Sequence, residues 1–183
     1  TTSADGVTWS KPSAAQLKGI YAPTILRERD GYRMWFSDVS SDPWVVSHAT
    51  SKDGKQWTVT DRGVVKVDQK WERMRLFYPT VLKTNGVYLM WYGSYWASER
   101  NKTALGFAVS SDGIHWHKHP ANPVFRPDAN RPWESHYTTS QSVLRSPDGS
   151  FRIWYASRRK PPFVNKYFAI GTAKWAGLEK VAD

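Results

Sequence analysis

Tyr78-Pro-Thr-Val-Leu82 leads through the turn Asn85-Gly86 into Met90-Trp91-Tyr92, and the chain repeats this pattern at two other places. One copy starts at Tyr21 and the other at Ser140. Each copy consists of a short apolar run, a turn and an alternating strand around a tryptophan. Repeats of this length indicate structural units that cannot bury their apolar faces alone and therefore stack on their neighbours.

The repeat is predicted to be all-β. Its apolar runs end at Asp-Gly or Asn-Gly dipeptides, which favour hairpin turns because these residues accept a positive φ. Two copies continue into a second turn, Asp-Gly-x-x-Trp, at 53–57 and 112–116. Four short antiparallel strands per unit are typical of a β-propeller blade. We therefore expect a β-propeller built from four-stranded antiparallel blades, with about three blades in this chain.

The repeats also predict the organisation of the chain as a single partial propeller. The expected segments are an orphan outer strand and link at 1–20, blade one at 21–60, blade two at 61–120 and blade three at 121–183. The orphan strand is inferred from a further Asp-Gly-x-x-Trp copy at 5–9. Closed propellers have at least four blades. We therefore expect either a homodimer that closes a ring or additional blades outside this chain.

Tryptophans at repeated positions are expected to pack between blades rather than to bind a ligand. They are Trp35, Trp57, Trp91, Trp116 and Trp154. For the same reason, the Asp-Gly pairs are expected to be turns and not metal sites. Because repetition indicates architecture, the chemistry of the protein is expected where the repeats differ.

The composition is basic and rich in aromatic residues. Among 183 residues there are 26 Lys and Arg against 16 Asp and Glu, a net charge of +10, with 11 Trp and 9 Tyr. Such a surface suits a carbohydrate, with an anionic polymer favoured by the charge, or a single-stranded nucleic acid. Nucleic acid is the less favoured partner because no motif supports it. The chain has no cysteine, which excludes disulfides, and no apolar run of membrane-spanning length.

Antiparallel alternation places the long loops and the links between blades on one face of the propeller. Variable loops on a rigid repeat commonly carry function. The basic and aromatic residues of these segments are predicted to bind substrate: Trp44, Arg73, Arg75, Tyr95, Trp96, Arg100, Arg131, His136, Tyr137, Arg158 and Arg159. A solvated basic rim without a function is the alternative.

Three carboxylates are candidates for catalysis. Glu72 and Glu134 each follow a Trp and lie seven residues before equivalent positions of successive blades, so both should approach the central axis. Glycoside hydrolysis requires one carboxylic acid to protonate the leaving oxygen and one carboxylate as base or nucleophile. Asp38, directly after the second strand of blade one, is the third candidate. The alternative for the two glutamates is a structural Trp-Glu pair at the start of each blade.

His115, His117 and His119 alternate after the second Asp-Gly-x-x-Trp turn. On a strand, this spacing would align three imidazoles on one side, as in a metal site. We instead expect an exposed outer strand, because the segment lies far from the axis. The sequence therefore predicts no metal and no cofactor.

These segments resemble those of the five-bladed propeller glycosidases, a broad group of arabinanases, xylosidases, fructosidases and related mannoside phosphorylases. The matching pattern is a Trp followed by an acid, the run 78–82, Met-Trp-Tyr, the run 106–116 and Asn122-Pro-Val-Phe125. The resemblance implies an Asp base near the start of an inner strand, a second Asp that tunes a pKa, and a Glu acid on a later blade. Thr24 and Thr80 stand where many relatives have the tuning Asp, and Glu134 best matches the acid.

Residues and resemblance together favour a carbohydrate-active propeller of the glycoside hydrolase type that acts on an oligo- or polysaccharide. A non-catalytic glycan-binding propeller is the alternative. No signal peptide is recognisable in the chain, which starts with Thr1. The expected location is secreted or periplasmic.

Overall fold

The computed structural model describes residues 1–12, 14, 17–96, 102–159 and 168–176, and these residues form antiparallel β-sheets with no α-helix among them. The first sheet contains β1 (Ile20–Glu28), β2 (Gly31–Asp38), β3 (Val45–Ser51) and β4 (Thr58–Val65). The second contains β5 (Arg73–Thr84), β6 (Val87–Tyr95), β7 (Thr103–Ser110) and β8 (His117–Lys118). The third contains β9 (Tyr137–Arg145), β10 (Phe151–Arg158) and β11 (Ala169–Trp175). A 3₁₀ turn at Pro132–Glu134 precedes β9.

The predicted all-β fold with antiparallel, four-stranded blades is confirmed, because each sheet follows chain order as a meander. The third sheet has three strands in the described part of the chain, and residues 177–183 lie outside it. No strand precedes Ile20 among the described residues. In the segment predicted as an orphan outer strand and link, residues 2–10 fold as a closed turn, and the assignment of this segment to a blade stays a prediction. No helix in the described ranges is long and apolar enough to cross a membrane.

The first strand of every sheet is interrupted at the same place. The pairing register shifts within β1, β5 and β9, next to Ala22, Tyr78 and Ser140. These residues have φ values of 47°, 52° and 51°, in the left-handed region that non-glycine residues rarely adopt. A β-bulge with such a residue turns the neighbouring side chains away from the regular alternation. The three bulges therefore direct the side chains at the start of each first strand.

The first two sheets are joined by a tryptophan that binds the Asp-Gly turn of the next sheet. Trp35 is fully buried, and its Nε1 donates to the Gly113 carbonyl at 2.8 Å. Arg33 donates from Nη1 to the Asp112 carbonyl at 2.6 Å. Gly113 has φ +77°, and a Cβ there would lie 2.9 Å from the Trp35 ring, so only glycine permits this approach. The prediction that Trp35 packs between blades is confirmed.

The interface between the second and third sheets contains the equivalent tryptophan, Trp91, but different residues pack against it. Trp91 packs with Phe151, Ile153 and the other apolar residues of one buried cluster between the second and third sheets. Trp175 lies against Trp91 with 5.8 Å between ring centroids. A side chain thus covers Trp91 at the place where the first interface uses a turn, since β11 is not followed by an Asp-Gly pair.

Within the second sheet, and again within the third, a Trp-Glu pair binds the strands together. Glu72 is buried, and its carboxylate accepts from Tyr92 Oη at 2.8 Å, from Lys118 Nζ at 2.8 Å and from two backbone N–H groups. Trp71 lies against Gly106, where a Cβ would meet both Trp71 and Tyr92 within 2.8 Å. Burial and the Glu72 charge raise the pKa of Tyr92, so its hydroxyl stays a donor. The third sheet repeats the arrangement.

In the third sheet, Glu134 is buried and accepts from Tyr155 Oη and from Arg131 Nη1, the latter at 3.0 Å. Trp133 lies against Gly171. The first sheet has Phe36 at the corresponding position, which has no hydroxyl to donate. This Tyr-Glu hydrogen bond therefore occurs in the sheets that have both a tyrosine and a glutamate at these positions.

We predict that Glu72→Gln destabilises the protein by about 3 kcal/mol, because it removes the buried carboxylate that pairs with Lys118, whose side chain is only 8% exposed, and leaves the solvent-exposed Asp68 carboxylate at 2.6 Å as the remaining charged partner. Glu134→Gln should cost less, because its partner Arg131 is 60% exposed and can be solvated. Urea unfolding of the two variants and the parent chain measures both effects. Equal costs would contradict this account of the two glutamates.

His48 is the buried titratable group at the first interface. Arg33 Nε donates to His48 Nε2 at 3.1 Å, and His48 Nδ1 lies 2.7 Å from Thr60 Oγ1. Because Nε2 accepts a hydrogen bond, the imidazole is neutral with its proton on Nδ1. Burial, together with the charge of Arg33, lowers the pKa of His48 from 6.5 to about 4. The folded state therefore disfavours the protonated imidazole.

We predict that stability falls as the pH drops from 6.5 towards 4, because the unfolded chain binds the His48 proton first. A shift of this size corresponds to about 3 kcal/mol at most. Thermal melts between pH 7 and 4.5 should show a shallower decline for His48→Gln than for the parent. His117→Gln, at an exposed position, is the control and should retain the parent's pH dependence. Parallel curves for the parent and His48→Gln would refute the role of His48.

Candidate functional site

Aromatic side chains meet where the first strands begin, in a region in which β5 contacts both β1 and β9. Tyr21 of β1 and Tyr78 of β5 are joined through their phenol oxygens, and their ring centroids are 5.2 Å apart. Trp44, in the loop between β2 and β3, packs edge-on against Tyr21 at 5.8 Å. The bulges at Ala22 and Tyr78 lie at these positions, so the strained backbone of two blades builds one site.

Trp44 is also held by the second sheet. Its backbone N–H donates to the Met74 carbonyl, and its own carbonyl accepts from the Leu76 N–H, both at 3.0 Å. The Arg75 guanidinium lies 4.3 Å from the centre of the Trp44 ring and 3.3 Å from Asp42 Oδ1. The loop of blade one is therefore fixed on the first strand of blade two, with an arginine stacked over its tryptophan.

The opposite side of the site is formed by the third sheet. The Arg158 guanidinium lies 4.5 Å from the Tyr137 ring centre and 4.9 Å from that of Phe168. Tyr95 packs edge-on against Phe77 at 5.4 Å, which in turn contacts Tyr78. We refer to six residues together as the aromatic cluster: Tyr21, Trp44, Phe77, Tyr78, Tyr95 and Tyr137.

The phenols of Tyr21 and Tyr137 remain neutral. Burial raises the pKa of Tyr21, and the hydrogen bond with Tyr78 raises it further. Burial, followed by the neighbouring Tyr95, raises the pKa of Tyr137. These hydroxyls therefore donate hydrogen bonds at neutral pH, and the positive charge at the site comes from Arg75 and Arg158.

A cavity adjoins the third-sheet side of the aromatic cluster. It has a volume of about 370 Å³ and is lined by Trp133, Arg159, Phe168 and Ala169. Phe168 connects the two, since its ring lies 6.2 Å from that of Tyr137. Aromatic faces and guanidinium groups thus continue from the aromatic cluster along the third sheet.

Asp38 ends β2 and pairs with Ile20, next to Tyr21. Its carboxylate is buried and accepts from Ser40, from Ser47 Oγ at 3.0 Å and from Arg62. Burial opposes ionisation, but these hydrogen bonds and the Arg62 charge outweigh it and lower the pKa of Asp38. Asp38 is therefore ionised, which suits a base, a nucleophile or a loop anchor and does not suit a proton donor.

The predicted catalytic pair Glu72 and Glu134 has a different environment. Each carboxylate is bound by the tyrosine of its own sheet and by a cation, Lys118 or Arg131. No contact joins these two carboxylates in the described residues. Their convergence on an axial pocket stays a prediction, and the contacts favour the structural Trp-Glu alternative. A catalytic role for either residue stays a prediction.

The structure brings five of the predicted substrate-binding residues together: Trp44, Arg75, Tyr95, Tyr137 and Arg158. Arg159 lines the adjoining cavity. Arg100 is outside the described ranges.

The remaining predicted residues make other contacts. Trp96 packs under Lys102 and Arg126. Arg131 pairs with Glu134, and buried His136 donates its N–H to the Arg158 carbonyl at 3.3 Å. The Arg73 N–H donates to Ser94 Oγ at 3.2 Å. These residues support the loops around the site and do not contact the aromatic cluster through these bonds.

Sequence reasoning did not identify Tyr21, Phe77, Tyr78 and Phe168 as site residues. The tyrosines belong to the repeat and were therefore assigned to the architecture. The available signal was that Tyr78 directly precedes a proline in an inner strand, as Ala22 does in the first copy. Among the described residues, no group of three His, Asp or Glu side chains is placed to hold a metal ion. His115 instead pairs with Asp112 at 2.7 Å.

No family model matches the chain. It is similar to MT1551, an uncharacterized protein of Mycobacterium tuberculosis, with 29% identity over 102 residues that cover 51% of this chain and 32% of that protein. The chain thus spans about a third of the length of this curated relative.

Solved structures share the fold at low identity. Zg3597, a family 117 glycoside hydrolase of the marine bacterium Zobellia galactanivorans, has a TM-score of 0.72 at 13% identity over 87% of this chain and 53% of its own. A thermostable family-43 glycoside hydrolase has a TM-score of 0.67 at 15% identity, over 85% and 48%. An N-acetylgalactosamine deacetylase from F. plautii, solved with blood group B trisaccharide, has a TM-score of 0.71 at 16% identity, over 94% and 59%. The chain therefore has the antiparallel blade fold of the propeller-type glycoside hydrolases.

Proposed function

We propose that this protein is a carbohydrate-active propeller that binds an anionic oligo- or polysaccharide at the aromatic cluster. The observation that carries the proposal is the position of Arg75 over Trp44 and of Arg158 over Tyr137. The C–H faces of sugar rings pack on aromatic rings. The hydroxyl groups of the sugar then remain available for hydrogen bonds. Guanidinium groups bind carboxylates or sulfates through paired N–H donors.

The proposed ligand extends over more than one sugar. The cavity lined by Trp133, Arg159 and Phe168 continues the aromatic surface away from the cluster. A net charge of +10 would attract a polyanion to this surface. A glycan of this kind outside the cell is consistent with the expected secreted or periplasmic location.

Hydrolysis of a glycosidic bond is the second part of the proposal. It is supported by the fold shared with glycoside hydrolases and by ionised Asp38 beside the first-strand bulge. A glycosidase requires a second carboxyl group as acid. The similar structures also include an N-acetylgalactosamine deacetylase, whose activity on a glycan is a different reaction.

We predict that Trp44→Ala weakens binding of a uronic-acid oligosaccharide by about 10-fold, or about 1.4 kcal/mol, because it removes the ring on which Arg75 stacks. Trp9→Ala, which removes an exposed indole at the N-terminal turn, should leave the affinity unchanged. Calorimetric titration of both variants measures the difference. Equal affinities for the parent and Trp44→Ala would refute the site.

The same titration tests the charge of the ligand. Binding should weaken as salt rises, and Arg75→Gln should reduce this dependence, because exposed ionic contacts are screened. A neutral oligosaccharide of equal length is the control and should bind without a salt dependence. Salt-independent binding of the uronic-acid probe would refute the anionic assignment.

We predict that Asp38→Asn lowers turnover of a chromogenic glycoside at least 100-fold if Asp38 is the base or nucleophile. Arg62→Gln keeps the carboxylate but removes its cation, and should raise the pKa of Asp38 and shift the acidic limb of the pH profile upwards. Unchanged turnover in Asp38→Asn, with folding verified by circular dichroism, would exclude catalysis by Asp38. Retained glycan binding with no turnover in the parent would support the non-catalytic alternative.

A further inference from the structure

The outer face of the third sheet is exposed and carries two large apolar side chains. Leu144 is 59% exposed and Ile170 is 80% exposed. Trp154 lies between them in the sheet, paired with Ser142 on one side and Thr172 on the other, and Arg152 pairs with Leu144. Exposed apolar residues grouped around a tryptophan and an arginine indicate a docking surface.

The first sheet has the same residues in the same register, with a known occupant. Trp35 pairs with Thr24 and with His48, and Arg33 pairs with Leu26. There, Trp35 Nε1 donates to the Gly113 carbonyl and Arg33 Nη1 to the Asp112 carbonyl. Trp154 and Arg152 therefore repeat the pair of donors that binds the two carbonyls of an Asp-Gly turn.

The chain carries two further turns of this kind, at 3–9 and at 51–57. The turn at 51–57 lies beside Tyr32 of its own sheet, 3.4 Å from the position that a Gly54 Cβ would take, whereas the turn at 3–9 stands at the beginning of the chain. In residues 3–9, Asp5 Oδ1 accepts from the N–H groups of Val7 and Thr8, and Ser3 Oγ accepts from the Gly6 N–H, all at 2.8 Å. Trp9 Nε1 donates to the Gly6 carbonyl at 3.2 Å. The turn at 110–116 has the same bonds, with Asp112, Ser110 and Trp116 in these roles.

The turns at 3–9 and 110–116 differ in burial. Gly113 is buried against Trp35. In the N-terminal turn, Val7 is 82% exposed and Trp9 is 60% exposed, and nothing lies within 4 Å of the position that a Gly6 Cβ would take. The N-terminal turn is therefore folded in the docking conformation and is not docked.

We propose that the N-terminal turn of a second copy of this chain docks on the outer face of the third sheet. In this arrangement, Trp154 Nε1 donates to the Gly6 carbonyl of the second copy and Arg152 donates to its Asp5 carbonyl, as Trp35 and Arg33 do within one chain. Each copy offers its N-terminal turn and the outer face of its third sheet, so a reciprocal exchange forms a closed two-fold dimer. The proposal concerns assembly and is independent of the proposed function.

Light scattering over a range of protein concentrations tests the proposal. We expect a mass of about twice the 21.0 kDa of one chain at high concentration. Gly6→Ala should weaken the dimer at least about 10-fold, because the equivalent Cβ on docked Gly113 would lie 2.9 Å from the Trp35 ring. Gly86→Ala is the matched control: it has a similar φ of +80° and equally open surroundings, and the dimer should persist. Arg152→Gln tests the receiving face and should also favour the monomer.

A synthetic peptide of residues 1–12 distinguishes the occupant. We expect excess peptide to convert the dimer into a chain with one peptide bound, and to bind Arg152→Gln more weakly. A parent chain that is monomeric at all concentrations overturns the proposal. Equal masses for Gly6→Ala and Gly86→Ala, or a dimer that is indifferent to the peptide, would also overturn it, because either result assigns the contact to another surface.

Discussion

The contact between a strand tryptophan and the backbone of an Asp-Gly turn governs this structure. Trp35 is completely buried, and burying its indole N–H without a partner would be unfavourable. The Gly113 carbonyl satisfies this donor, and only a glycine permits the carbonyl to come so close. The Asp-Gly turn itself is rigid, because the Asp112 carboxylate and the Ser110 hydroxyl accept hydrogen bonds from its backbone N–H groups. Stacking of the first sheet on the second thus depends on a polar contact in an apolar setting.

Within a sheet, the repeat again combines apolar packing with a buried hydrogen bond. A tyrosine of the second strand, a glycine of the third and a preceding Trp-Glu pair form one buried unit in the second and third sheets. The glutamate binds the tyrosine hydroxyl, and the tryptophan covers the glycine. Carboxylates that resemble a catalytic pair by their spacing therefore have a sufficient structural explanation. Their positions recur because the same packing recurs in the second and third sheets.

The aromatic cluster arises where the repeat is strained. A left-handed residue in each first strand breaks the regular alternation, and it does so in all three sheets. In the first two, the break lies beside the tyrosines that meet across the blades. Trp44 joins them only because its loop hydrogen bonds to the neighbouring sheet. The cluster is therefore a property of the assembled sheets, and no single blade contains it.

Local chemistry was sufficient for much of the fold. Asn-Gly and Asp-Gly pairs specify turns, alternation specifies strands, and a repeated tryptophan indicates packing between units. Trp44, Arg75, Tyr137 and Arg158 were also predicted as site residues from their face of the blade. These features were predictable because they depend on neighbours in the chain.

The sequence by itself therefore determined the blade architecture and the face that carries the candidate site. Only the tertiary structure decided that Glu72 and Glu134 are bound by tyrosines and cations, and that Tyr21 meets Tyr78. It also decided that residues 2–10 form an undocked turn. The physical reason is that a carboxylate or phenol acquires its role from groups distant in sequence, through burial and hydrogen bonds that exist only once the sheets are stacked.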